Sequence, residues 1–77
     1  MMRILRGRAG DPGVWWPTTA SRHLAAFVAC PVCGQLMGLR PSVIEDSGRI
    51  AEALACPREG CEWSEYVILA DWPGPGP

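Results

Sequence analysis

Apolar positions recur at intervals of two along much of this chain, and that short period predicts strands. Residues 35–45 contain Leu36, Met37, Leu39, Val43 and Ile44, with Pro41 marking a bend or an edge position. Asp46-Ser47-Gly48 then supplies turn chemistry, because Gly48 can take positive φ and Asp46 can bond its own backbone. Residues 49–55 resume the apolar pattern with Ile50 and Leu54 an even number apart, so 35–55 reads as a β-hairpin. Residues 62–70 set Trp63, Glu65, Val67 and Leu69 on one side and Ser64, Tyr66 and Ile68 on the other, which suits a third strand. Residues 18–29 suit one helical segment, with Ser21 as N-cap and Leu24, Phe27 and Val28 at helical spacing, or a strand leading into Cys30; the strand is the reading adopted.

The ends lack such a period. Residues 1–17 are rich in Gly, Pro and Arg and are predicted as an irregular, flexible arm. Within it, Trp15 and Trp16 either pack onto the rest of the protein or anchor a partner. Residues 72–77 alternate Pro and Gly and are predicted as a disordered tail. That leaves one domain, 18–71, in a chain of 77 residues. A domain of this size has a thin apolar core and commonly recruits disulfides, a metal or a partner subunit.

The four cysteines suggest which. Cys30, Cys33, Cys56 and Cys61 fall in two tight pairs. In Cys30-Pro31-Val32-Cys33-Gly34 two sulfurs can converge about 2.3 Å from one zinc ion while Gly34 lets the chain turn sharply. Cys56-Pro57-Arg58-Glu59-Gly60-Cys61 repeats this with a longer gap, loosened by Gly60, and 22 residues lie between the pairs, enough for a hairpin that leaves and returns. The competing reading is a disulfide framework with three connectivities, which belongs to exported chains. The arginine-bearing start has no apolar stretch of signal-peptide length before Asp11-Pro12-Gly13, so a reducing cytoplasm is expected. The longest apolar run, 24–33, is broken by Pro31 and too short for a bilayer.

The fold class expected is therefore small, metal-stabilised and mostly β: a zinc ribbon of two cysteine knuckles and a three-stranded antiparallel sheet. Four sulfurs fill a tetrahedral shell, so the zinc is expected to be structural. Such binding contributes about 10–16 kcal/mol at neutral pH, more than a small domain's whole stability. His23, the single histidine, lies seven residues before Cys30 and is expected as a surface or packing residue rather than a ligand. The carboxylates form no acid/base pair with it, and neither a phosphate loop nor a nucleophilic triad can be assembled, so no enzymatic activity and no small-molecule substrate are expected.

The net charge of −1 is unevenly spread. Residues 1–29 hold Arg3, Arg6, Arg8 and Arg22 against Asp11, a balance of +3, while 30–77 hold Arg40, Arg49 and Arg58 against seven acids, a balance of −4.

The spacing Cys-x2-Cys-x22-Cys-x4-Cys, with Arg40 and Ser42 shortly after the first pair, resembles the Ogr/Delta zinc fingers, small phage activators of late transcription. The resemblance covers roughly residues 30–69. It implies zinc at Cys30, Cys33, Cys56 and Cys61, Arg40 as a contact residue, and action at DNA upstream of promoters with RNA polymerase as partner. The leading expectation is a transcription-associated, nucleic-acid-binding regulator in which Arg3, Arg6, Arg8, Arg22 and Arg40 meet phosphates. The alternative is a zinc-stabilised protein-interaction module, an adaptor or small structural subunit, that docks on a larger protein through Trp15, Trp16, Trp63 and Trp72.

Overall fold

The computed structural model describes residues 1–19 and 22–73. Its seven strands are β1 (Met2–Arg6), β2 (Val14–Pro17), β3 (Ala26–Ala29), β4 (Leu36–Leu39), β5 (Leu54–Ala55), β6 (Ser64–Glu65) and β7 (Val67–Leu69), with one 3₁₀ turn over Pro41–Val43. Five strands form a mixed sheet in the order β4-β3-β2-β1-β7, and β5 and β6 form a separate antiparallel pair. The protein is thus mostly β, as expected. The sheet is not the three-stranded antiparallel one expected, because its middle is built from residues assigned to the arm.

Residues 1–17 are the chief correction. Within β1 the side chains alternate, so that Ile4 is buried while Arg3 and Leu5 are exposed. β1 runs parallel to β7, with Met2, Arg3 and Ile4 opposite Val67, Ile68 and Leu69. It also runs parallel to β2, but only Leu5 and Arg6 meet Val14 and Trp15. Parallel neighbours ordinarily need a crossover of a dozen or more residues. Here β2 begins beside the end of β1, and this stagger lets residues 7–13 close the connection. Gly7 lies against Val14, where a Cβ would come within 2.8 Å of its side chain, and its amide donates to the Trp15 carbonyl at 3.0 Å.

β2, β3 and β4 form an antiparallel meander, with Trp16 opposite Phe27 and Phe27 opposite Gly38. The strand reading of 18–29 thus holds over Ala26–Ala29, while the Ser21 cap falls outside the described residues. The turn at 46–48 forms with Gly48 at φ 91°, and Ile44 bridges Ile50 across it. β4, however, pairs with β3 and not with the segment after the turn. That segment joins β7 instead: the Ile50 amide donates to Val67 and the Leu69 amide to Gly48. The predicted strand over 62–70 is divided, β6 pairing with β5 and β7 with β1.

One cluster fills the concave side of the sheet: Ile4, Trp15, Ala26, Val28, Cys30, Met37, Leu39, Ile50, Val67 and Leu69. Trp15 is 0% exposed, and its indole Nε1 donates to the Ala70 carbonyl at 2.9 Å. Trp72 packs on it with ring centroids 5.5 Å apart, so the tail expected over 72–77 is docked at its first residue; residues 74–77 lie outside the described residues. Among the described residues no helix is long and apolar enough to cross a membrane.

Candidate metal centre

Each cysteine pair lies in the connection of a hairpin. β3 delivers Cys30, and the chain turns through Cys33 and Gly34 before entering β4; β5 delivers Cys56, and it turns through Gly60 and Cys61 before β6. The two turns close alike. The Cys30 amide donates to Gln35 at 2.9 Å, and the Cys56 amide to Trp63 at 2.9 Å. Gly34 at φ 78° and Gly60 at φ 86° occupy the left-handed region, which is how they make the turns expected of them, and both have open space where a Cβ would stand. Backbone conformation therefore selects glycine at both positions.

The turns face one another. Cys30 Sγ lies 3.8 Å from Cys61 Sγ and Cys33 Sγ 3.5 Å from Cys56 Sγ, and all four sulfurs lie within 4.8 Å of one another. A disulfide would require about 2.05 Å. Sulfurs at the corners of a tetrahedron with metal–sulfur bonds of about 2.3 Å stand about 3.8 Å apart. The separations fit the second arrangement, and the four cysteines could hold a metal ion. His23 is exposed and is not a member of this cluster.

Backbone amides converge on the sulfurs from outside. The amide of Gln35 hydrogen-bonds Cys33, that of Arg58 hydrogen-bonds Cys56 and that of Trp63 hydrogen-bonds Cys61, each two residues beyond its cysteine. The Gln35 amide is the main reason the Cys33 thiol is lowered to about 7. Partial withdrawal from water pushes Cys56 up to about 12, against the Arg58 amide. At Cys61 the Trp63 amide and the Cys56 sulfur favour the thiolate, but withdrawal from water together with the Cys33 and Cys30 sulfurs outweighs them and the pKa rises. Four thiols drawn this close cannot all ionise without a cation among them. An open hollow of about 340 Å³ lies beside the turns, lined by Val32, Cys33, Arg58, Glu59, Gly60, Cys61 and Glu62.

The remaining predicted site residues are scattered by the fold. Arg3, Arg6, Arg8, Arg22 and Arg40 are all exposed. Arg6 lies over the Trp15 ring at 5.6 Å. Trp15 is core and is not available to a partner, whereas Trp16 is half-buried beside Phe27 with ring centroids 6.1 Å apart. Trp63 and Trp72 pack against the core cluster. Leu5 and Phe27 on the sheet and Arg49, bridged to Ile68 beside it, are exposed or half-exposed and come together only through strand pairing that no local pattern signals.

Comparison with protein-family models, curated proteins and solved structures finds no match for this chain. The Ogr/Delta resemblance accordingly rests only on the cysteine spacing with Arg40 and Ser42.

Proposed function

We propose that this protein is a small nucleic-acid-binding module whose hairpin turns are held by one structural zinc ion on Cys30, Cys33, Cys56 and Cys61. The observation that carries the metal is the convergence of the four sulfurs, all within 4.8 Å of one another and two pairs at 3.5 and 3.8 Å. Four thiolates select a soft or borderline ion such as zinc or iron. When bound, the ion links the two hairpin tips and leaves no open coordination position, so it supplies stability and no chemistry of its own. Two cysteine-bearing hairpins facing across one ion support reading the centre as ribbon-like, on a sheet that differs from the three-stranded one expected. A reducing compartment such as the cytoplasm keeps these thiols available.

The nucleic-acid reading is supported by the separation of charge. Glu52, Glu59, Glu62 and Glu65 all belong to the second hairpin and its approach, while Arg3, Arg6, Arg8, Arg22 and Arg40 lie elsewhere, each exposed. A role in transcription, beside RNA polymerase, is the specific form the cysteine spacing suggests. Mobility-shift titration of the zinc-loaded protein at low salt tests the reading: retarded DNA or RNA is expected, and no retardation of either would overturn it.

A further inference from the structure

Building on the nucleic-acid reading, we infer that the outer face of the five-stranded sheet is the binding surface and that it takes single-stranded nucleic acid. The face follows from the registers. Ile4, Trp15, Val28, Met37 and Leu69 point into the core, so their strand neighbours point outward. Ile68 stands between Arg49 and Arg3, Leu5 is paired with Val14, and Trp16, Phe27 and Gly38 lie side by side on three strands. Arg40 continues the outward register of Gly38 one step past β4. Leu24 lies over Gly38, where a Cβ would come within 2.9 Å of its side chain.

This face is apolar at its centre and cationic at its rim. Leu5 is 59% exposed, and Val14, Trp16, Phe27 and Ile68 are each half-exposed, so the centre of the face is apolar. The five strands of the large sheet contain no acidic residue; of their two arginines Arg3 belongs to this face, whereas Arg6 shares the register of Ile4 and lies over Trp15. Glu45 comes to the rim, its amide donating to the Arg49 carbonyl at 2.8 Å.

The combination selects the ligand. Exposed aromatic rings on a sheet stack unpaired bases, and arginines around them meet the phosphates that join those bases. A duplex hides its base faces and would use the arginines while leaving Trp16 and Phe27 idle. Across five strands the face spans about 19 Å, at about 4.8 Å per strand interval, room for a few nucleotides. An acidic protein partner would also satisfy the arginines and pack on the rings, and the titration below separates it from a single strand.

The test is a fluorescence and mobility-shift titration of the zinc-loaded protein with a ten-nucleotide oligothymidylate, a ten-nucleotide oligouridylate and a blunt DNA duplex at low salt. Expected are tighter binding of the single strands than of the duplex and quenching of tryptophan emission. Trp16→Ala should weaken single-strand binding at least about five-fold, given about 1–3 kcal/mol per stacked base. Arg3→Gln, at an exposed position and with folding checked by circular dichroism, should weaken it several-fold and flatten its salt dependence. Duplex binding as tight as single-strand binding, or single-strand binding unchanged by Arg3→Gln, would overturn the face while leaving the nucleic-acid reading in place. If none of the three probes binds, both fall. That result, with an acidic protein partner displaced by Arg3→Gln, would reassign the face to protein docking.

Discussion

Gly48 shows how closely single residues are specified in this molecule. It combines φ 91° with a backbone approach in which a Cβ would lie 2.5 Å from the Leu69 carbonyl oxygen and 2.7 Å from the Trp72 Cβ. A left-handed conformation costs a non-glycine residue about 1–2 kcal/mol, and forcing atoms into a packed site adds about 1–3 kcal/mol. Gly48→Ala should therefore destabilise the folded protein by about 2–5 kcal/mol, read from chemical denaturation; a change within 0.5 kcal/mol, roughly the surface norm, would contradict the geometry. The sulfurs are specified as tightly. With Cys56 pushed up to about 12 and Cys61 also raised, both are neutral thiols at pH 7 in the metal-free chain. Zinc uptake must then expel their protons, and affinity must fall as pH falls, because metal and proton compete for the same sulfur. Calorimetry in buffers of different ionisation enthalpy should report at least two protons released at pH 7. Binding enthalpy independent of the buffer would refute that expectation.

Among the elements, β1 carries most of what local sequence could not reveal. The two cysteine turns were legible because their determinants are adjacent in the chain: cysteine spacing, and a glycine where φ must be positive. The turn at 46–48 was legible for the same reason. The partners of the strands were not, since Met2–Arg6 pairs with Val67–Leu69 at the far end of the chain, and the arginines and glycines around Ile4 disguised its two-residue alternation. Trp15 likewise gave no sign of which side it would face; its 0% exposure and its bond to the Ala70 carbonyl follow from that distant pairing. Neighbouring residues of β1 provide the check. Ile4→Ala should cost about 2–5 kcal/mol, in the range for buried aliphatic truncations, whereas Leu5→Ala, at 59% exposure, should stay within about 0.5 kcal/mol. Equal, small effects on denaturation would mean that residues 1–17 are an arm after all.

The whole molecule divides its labour between a sheet and a clasp. Among the described residues the buried side chains are all apolar, with Cys30 counted among them, so the metal centre continues the end of the core and is not a separate appendage. Charged groups stay outside, which makes salt a lever on binding and not on folding. If three phosphates are met on the outer face, the logarithm of single-strand affinity should fall against the logarithm of salt with a slope of about −2, and a flat dependence would remove the arginines from the interface. All of this presupposes that the clasp holds. The most direct measurement is native mass spectrometry of the purified chain paired with circular dichroism before and after chelation. One zinc ion per chain is expected, absent from Cys56→Ser, with the β spectrum collapsing when the metal is withdrawn. A metal-free chain with an unchanged spectrum, or cysteines joined as disulfides, would contradict the account.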